Sequence, residues 1–573
     1  MGVTRKRSLT TVLICMMIFS VVMMGCSSNN NASNTNTPGT NTISNDTPST
    51  DTPSTDTNTE EKLEPITISV YNGAPGQTAP ESNKIYKKIK DELGVTLEME
   101  FLVGDNEQKL GVMIAGGEYP DLITADTKLV GAGAVIPLED LLEEHAPKLL
   151  EHYKPYLKRM KDSSDGHIYW LPNYGVYTGA FNETWYGGPA FWIQKAVLKE
   201  FGYPKVKTLD EYFALIQQYQ EKYPEIDGQP TIGFSTLAFD WRTFGLKNAP
   251  QHLAGYPNDG GVTVDNNVAK IFADKQIAKD YYKKLNDINA LGLMDKEAFA
   301  QNYDQYLAKV ASGRILGMFD QHWNFQSAED SLTTQKKDDR TYVGIPLVYD
   351  DSITDWYRDR PPINLNNGYG ISVNAKDPVR IIKFLEAMMD EEWQKTLQWG
   401  IEGDDYLVDA EGMFYRTQEM RDQQVDPAWK LANRAQYLLE YIPKIQGSFS
   451  DGNANTPGSQ LKEFTDGLKP LDKEILDAYG HGMWTDFFSA PPENPIHYAA
   501  WQIDLIEGSE ASVADTKIND LSLKHLPKAI LSKPDEFDKV WNEYVEELGK
   551  ANIEAYEARV NEQIQWRVEN WSE

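Results

Sequence analysis

The chain has 573 residues, of which 40% are hydrophobic, so it is long enough to form two large lobes with cores of their own. Its formal net charge is −31 at pH 7, and repulsion therefore excludes nucleic acid and anionic lipid headgroups as partners. The two cysteines, Cys15 and Cys26, both lie near the N-terminus, so we expect the folded body to be stabilised by burial and not by disulfides.

The N-terminus has the features of an export signal. Residues 5–7 are basic, and residues 9–24 are almost wholly apolar but fewer than the roughly 20 residues of a membrane-spanning helix. Gly25 then precedes Cys26 and a polar stretch, which resembles the lipobox of bacterial lipoproteins. The resemblance implies a signal peptide over residues 1–25, lipidation of Cys26 and a location outside the cell, anchored to the membrane. The alternative is an uncleaved N-terminal anchor with an incidental cysteine.

Residues 26–64 predict a disordered tether. They are rich in Asn, Thr, Ser and Pro, lack aromatic residues and contain the repeat Asp-Thr-Pro-Ser-Thr at residues 46–50 and 51–55. Such a segment cannot bury enough apolar surface to offset its conformational entropy. As a random coil it would reach on the order of 35 Å, which is enough to hold a folded body clear of a membrane.

The folded body begins with alternating strand and helix patterns. Residues 66–70 alternate as a strand, residues 81–93 have an apolar helical face that ends at Gly94, and residues 95–101 alternate again. Asp105 can cap a second helix that closes at Gly116 and Gly117, and a short strand follows over residues 121–124. This order predicts a parallel sheet with crossover helices.

Residues 108–122, which end in Glu-Tyr-Pro-Asp-Leu, resemble a signature of the family 1 extracellular solute-binding proteins. These are ligand receptors of ABC importers, and the resemblance is to the large carbohydrate-receptor type. Further family landmarks follow in the same order at residues 134–142, 165–172, 189–204, 312–323 and 368–373.

The resemblance implies an α/β protein with a two-lobed, periplasmic-binding-protein-like fold of class II. Each lobe would be a mostly parallel sheet flanked by helices, followed by a helical C-terminal region. We expect the first lobe to comprise residues 65–180 and the return segment 363–415, and the second lobe to comprise residues 181–362. Residues 416–573 are expected to be mainly helical and to pack on the second lobe and the hinge.

The ligand is expected in the cleft between the lobes, beyond the carboxyl ends of the strands. Aromatic rings can cover the apolar face of a sugar, while carboxylate, amide and guanidinium groups bind its hydroxyls. Residues 399–406 supply both kinds and resemble a loop of the large carbohydrate receptors, although a tryptophan can equally well pack in a core. The predicted ligand-binding residues are Asn72, Trp170, Tyr174, Trp241, Arg242, Trp323, Trp399, Glu402, Tyr406 and Trp484. The tryptophans at 393, 541, 566 and 571 follow helical patterns and are assigned to packing.

The implied function is an oligosaccharide receptor that delivers its ligand to ABC permease subunits, works as a monomer and needs no cofactor. No motif for nucleophilic catalysis, phosphate binding or a metal site is present, and residues 223–230 lack the alternating oxygen ligands of a calcium loop. We therefore predict no catalytic residues and no metal. The alternatives are a surface-anchored polysaccharide-active enzyme with paired carboxylates, an oligopeptide receptor, or a ligand-presenting subunit of a membrane sensor.

Overall fold

The computed structural model describes residues 64–161, 165–358, 363–365, 367–491 and 499–571. The predicted signal peptide, the tether up to residue 63 and the lipidation site at Cys26 lie outside the described residues and remain predictions. Within the described ranges, no helix combines the length and the apolar character that crossing a membrane requires.

The strands are short, and most of them belong to two sheets. In chain order they are β1 (Ile66–Asn72), β2 (Val95–Phe101), β3 (Leu122–Thr124), β4 (Leu171–Pro172), β5 (Tyr177–Thr178), β6 (Pro189–Gln194), β7 (Glu225–Ile226), β8 (Gln229–Pro230), β9 (Ile232–Ser235), β10 (Val262–Asp265), β11 (Val268–Ile271), β12 (Ile315–Gln321), β13 (Tyr342–Ile345), β14 (Gly368–Ile371), β15 (Leu407–Val408), β16 (Phe414–Tyr415) and β17 (Gln446–Gly447).

Helices surround both sheets and make up most of the C-terminal part. In chain order they are α1 (Lys84–Leu93), α2 (Asn106–Gly116), α3 (Thr127–Gly131), α4 (Glu139–His145), α5 (Pro147–Tyr153), α6 (Leu157–Met160), α7 (Lys195–Glu200), α8 (Leu209–Lys222), α9 (Phe244–Lys247), α10 (Ala249–Leu253), α11 (Gln276–Ala290), α12 (Tyr303–Ala311), α13 (His322–Thr334), α14 (Pro378–Met388), α15 (Glu391–Gln398), α16 (Gln418–Gln424), α17 (Pro427–Asn433), α18 (Gln436–Tyr441), α19 (Leu461–Gly467), α20 (Pro470–Tyr479), α21 (Glu510–Leu531), α22 (Phe537–Leu548) and α23 (Ile553–Trp571).

The two-lobed α/β fold is confirmed, but its sheets are more mixed than the sequence predicts. The first lobe has the strand order β2-β1-β3-β14-β4, and the second has β13-β6-β12-β9. β14 runs antiparallel to both of its neighbours, and so does β6. Each of these is the strand by which the chain enters a lobe from the other lobe. It starts at the edge where its neighbours end, so it must run in the opposite direction.

Each lobe has its own hydrophobic core, and the C-terminal region divides between them. Ala435, Leu438 and Ile442 pack in the core of the first sheet. Phe537 and Tyr544, by contrast, pack in the core of the second. Residues 416–573, expected on the second lobe and the hinge, therefore contribute α18 to the first lobe and α21–α23 to the second. The chain crosses between the lobes after β4, again between β13 and β14, and a third time at β17. β17 pairs in parallel with β5, so the third crossing lies beside the first.

Candidate functional site

In both lobes, the carboxyl ends of the parallel strands lie at the cleft between the lobes. In the first lobe, β1, β2 and β3 are parallel and end at one edge. In the second lobe, β9 and β12 are parallel neighbours and also end together. The chain leaves β4 at one of these edges and enters β6 at the other, and it returns from β13 to β14 in the same way. The two edges therefore flank the cleft, where open α/β sheets bind ligands.

A pair of stacked indoles lies at the cleft edge of the second lobe. Trp241 stands in the short 3-10 turn Asp240–Thr243 that follows β9, and Trp323 stands in the first turn of α13, directly after β12. Their ring centroids are 5.8 Å apart and their planes differ by 9°. Trp241 is 64% exposed and Trp323 45% exposed, so both rings offer apolar surface to a ligand. Together with Phe244, whose ring lies 5.5 Å from that of Trp323, they form what we call the aromatic ledge.

Arg242 supplies polar groups beside the aromatic ledge. Its guanidinium carbon lies 4.5 Å from the ring centroid of Trp241 and 4.0 Å from that of Tyr303. Its Nη1 donates to Oδ2 of Asp240 at 2.5 Å. Asp240 has a φ of 48°, a left-handed conformation in which aspartate is several-fold enriched over most residues. An indole face next to a guanidinium and a carboxylate is suited to a ring with an apolar face and hydroxyl groups at its rim.

A buried hydrogen-bond network fixes the backbone that carries Trp323. The hydroxyl of Tyr303 donates to the carbonyl oxygen of Asn324 at 2.6 Å, and Nδ2 of Asn324 lies 3.1 Å from both carboxylate oxygens of Asp320. Tyr306 donates to the same carboxylate at 2.5 Å. Burial raises the pKa of Asp320 to about 6, although these donors oppose the shift. Because the network joins the end of β12 to the start of α13, it holds Trp323 in place before any ligand arrives.

A second aromatic site lies next to the ledge, in a cavity of about 240 Å³ that we call the hinge cavity. Its walls include Trp185, Lys195, His322, Glu329 and Trp484. Nε2 of His322 lies 2.6 Å from Glu329, and Nζ of Lys195 lies 5.2 Å from the ring centroid of Trp484. Burial alone would raise the pKa of Glu329, but His322 holds it below its ordinary value. The predicted residue Trp484 therefore lines the hinge cavity and is not part of the aromatic ledge.

Three of the predicted residues lie at the first lobe and the crossing that leaves it. Asn72 is fully buried and donates to the carbonyl oxygen of Tyr437 at 3.2 Å. Trp170 is 9% exposed and packs in a core cluster of the first lobe. Tyr174 is 36% exposed, and its hydroxyl accepts a hydrogen bond from Tyr177 at 3.1 Å. Of the three, only Tyr174 presents a substantial surface to solvent.

The loop that resembles a carbohydrate-receptor motif forms a small core of its own. Trp399 is fully buried, and its Nε1 donates to the carbonyl oxygen of Ala454 at 2.9 Å. Tyr406 is 5% exposed and packs against Trp399 and Phe414. Glu402 is exposed. The structure therefore brings Trp241, Arg242 and Trp323 together, whereas it gives Trp399 and Tyr406 a packing role.

Sequence reasoning missed several aromatic residues of these sites. Phe244 completes the ledge, Tyr303 packs against Arg242 beside it, and Trp192 lines the hinge cavity. For Phe244, the one local signal in the sequence is its position three residues after Trp241, a spacing that can place two side chains on the same side of a helical turn. Among the described residues, no three His, Cys, Asp or Glu side chains are grouped so as to hold a metal ion. Residues 223–230 form the β7–β8 hairpin, in which Asp227 pairs with Lys337 at 2.8 Å.

The chain is similar in sequence to a known solute-binding protein. The fructooligosaccharide ABC transporter substrate-binding protein FusA of Streptococcus pneumoniae serotype 4 is 28% identical over 252 residues. The match covers 40% of this chain and 45% of that relative, so it spans less than half of the relative's length.

Solved structures share the fold. S. pneumoniae FusA in complex with kestose is 19% identical, with a TM-score of 0.64, and the match covers 88% of this chain and 100% of that one. An HMO-binding, ABC-transporter-associated solute-binding protein from Bifidobacterium longum infantis is 16% identical, with a TM-score of 0.62, and the match covers 88% of this chain and 99% of that one. The family described as "bacterial extracellular solute-binding protein" matches residues 84–401, which is more than half of this chain. The protein therefore belongs to the bacterial extracellular solute-binding protein family.

Proposed function

We propose that this protein is the receptor of an ABC importer and captures an oligosaccharide in the cleft between its lobes. The observation that carries the proposal is the aromatic ledge, where two stacked and exposed indoles lie beside a guanidinium–carboxylate pair. The relatives support the class of ligand, since FusA is a fructooligosaccharide-binding protein and its solved structure contains kestose. In this role the protein binds and releases its ligand chemically unchanged.

Delivery would depend on closure of the two lobes around the ligand. A sugar on the aromatic ledge meets the facing edge of the first lobe, and each contact made there favours the closed state over the open one. One ion pair already joins the lobes, because Lys430 on α17 lies 3.5 Å from Asp330 on α13. α17 packs against α1 in the first lobe, whereas α13 belongs to the second. We propose that the permease subunits recognise this closed arrangement.

The receptor is proposed to act outside the cell as a lipid-anchored monomer. The apolar segment and the Gly25–Cys26 step support export and lipidation, and the polar tether that follows would let the lobes reach a permease in the same membrane. In this proposal residues 65–180 and 363–415 form most of the first lobe, and residues 181–362 form most of the second.

Thermal unfolding in the presence of candidate ligands tests the proposal. The protein without residues 1–25 is melted with kestose, nystose, maltotriose, cellotriose and mannotriose, and with short peptides as the comparison. A ligand at about 100 times its Kd adds about 2.7 kcal/mol to the free energy of unfolding, which gives a measurable rise in Tm. Stabilisation by a sugar that is recovered intact supports the receptor. Cleavage of the sugar, or stabilisation by peptides alone, would refute it.

A further inference from the structure

Next to the aromatic ledge the second lobe contains a pocket of about 260 Å³, which we call the rear pocket. Trp241 and Phe244 line both the ledge and this pocket, so the two sites are continuous. Its walls also include Tyr282 and Tyr544, which are 2% and 1% exposed and belong to the core. These core side chains close one wall of the pocket, and its volume is below the roughly 300–1,000 Å³ of sites that enclose a whole drug-sized ligand.

A chain of polar side chains crosses the wall of the rear pocket. Nζ of Lys247 donates to Oδ1 of Asn519 at 2.5 Å, and Nδ2 of Asn519 donates to Oδ2 of Asp515 at 3.2 Å. Burial lowers the pKa of Lys247 and raises the pKa of Asp515, so both charges are partly removed from water. An ammonium has three donors and a carboxylate about four acceptor positions, so this chain can both donate to and accept from a ligand.

The combination of groups selects among sugars. Aromatic walls and a mixed donor and acceptor set match a ring whose hydroxyls donate and accept hydrogen bonds. A carboxylated or sulfated ring is disfavoured, because its charge would be placed beside Asp515 as well as Lys247. On the ledge outside, Arg242 is likewise paired with Asp240. In the rear pocket and on the ledge, each positive charge is therefore balanced by a carboxylate of the protein. An uncharged ligand does not disturb this balance.

We propose that the rear pocket binds the terminal ring of a neutral oligosaccharide while the next ring stacks on the aromatic ledge. The inference rests on the proposed function and adds two features to it: the sugar enters with its terminal ring first, and that ring must be small enough to fit a pocket of about 260 Å³. The affinity of the receptor then depends on Lys247 and Asn519 as well as on the exposed indoles.

Gly261 allows the rear pocket to be blocked without disturbing the fold. It lines the pocket, is exposed and lies outside the left-handed φ region. A Cβ at this position would meet only the hydroxyl of Tyr556, at 3.6 Å. Gly261→Leu therefore projects a side chain into the pocket from its rim. Gly111→Leu, at an exposed glycine of α2 in the first lobe with no atom near its Cβ, is the matched control.

Isothermal titration calorimetry with the tightest-binding sugar of the panel above is the test. We expect the Kd to rise at least tenfold in Gly261→Leu and in Lys247→Met, and to be unchanged in Gly111→Leu, with ligand-free Tm values confirming that all three variants are folded. Wild-type affinity in Gly261→Leu would overturn the rear pocket while leaving the receptor function intact. Wild-type affinity in Lys247→Met would overturn the polar recognition assigned to it. If no sugar of the panel binds the unaltered protein, the proposed function fails together with this inference.

Discussion

Replacing Trp241 with alanine should cost affinity but not stability. A tryptophan buries about 150–250 Å² when fully covered. Since Trp241 is 64% exposed, roughly 100–160 Å² of it is available to a ligand. A sugar ring covers one of the two faces, or roughly 50–80 Å², which at about 25 cal/mol per Å² corresponds to about 1.3–2 kcal/mol. The Kd of Trp241→Ala should therefore rise about 9- to 30-fold.

Calorimetric titration of the wild type and of Trp241→Ala with a stabilising sugar measures this difference. The ligand-free unfolding free energy should change by no more than about 0.5 kcal/mol, as is usual for exposed positions. Leu291→Ala, at a 59% exposed position after α11 in the same lobe, is the control and should keep the wild-type Kd. An unchanged Kd in Trp241→Ala would refute the ledge as the ligand platform. A large loss of ligand-free stability would show that the ring is needed for packing.

Three further substitutions test other parts of the structure. Trp399→Ala should lower the free energy of unfolding by about 3–5 kcal/mol in denaturant titrations, because the ring is fully buried. Lys430→Met should weaken sugar binding by about 1.4- to 5-fold at low salt and less at high salt, since it removes a partly exposed ion pair with Asp330 that joins the lobes. Burial lowers the pKa of His252 from 6.5 to about 3. Between pH 6.5 and 3 this histidine is therefore protonated in the unfolded chain but not in the folded one. As the pH falls through this range, the free energy of unfolding decreases by up to about 1.4 kcal/mol per pH unit. His252→Phe should lack this contribution when denaturant midpoints of the two proteins are compared across that range.

Local sequence rules predicted the beginning of the folded body well, because local interactions decide it. Gly94 ends α1 with a φ of 66°, and the side chain of Asp105 accepts a hydrogen bond from the backbone of Gln108 at the start of α2. Thr208 and Glu211, which are three residues apart, form a capping box at the start of α8. Each of these signals involves residues at most four apart. The direction of β6 and β14 has no such signal, since it depends on where the chain crosses between lobes.

The candidate site was only partly predictable, because burial of an aromatic ring depends on distant residues. Trp241 and Trp323 are far apart in sequence and meet because β9 pairs with β12. Trp399 lies in a loop of suitable composition, but Phe414 packs against it, and the loop becomes a core. The sequence shows which residues could bind a sugar, whereas the tertiary packing decides which of them remain accessible.

Some contacts in the structure join the two lobes and lie outside the candidate ligand sites. Arg159 on α6 in the first lobe donates from Nη2 to the carbonyl oxygen of Trp571 at 2.8 Å, and its guanidinium carbon lies 5.4 Å from the indole ring. Trp571 ends α23, which packs on α21 and β11 in the second lobe, so this contact ties the lobes together apart from the chain crossings. Contacts of this kind change the free energy of closure equally for every ligand, and they scale all Kd values by one factor. If the protein is the proposed oligosaccharide receptor, its order of preference among sugars would therefore come from the ledge and the rear pocket, where the sugar rings would make contact.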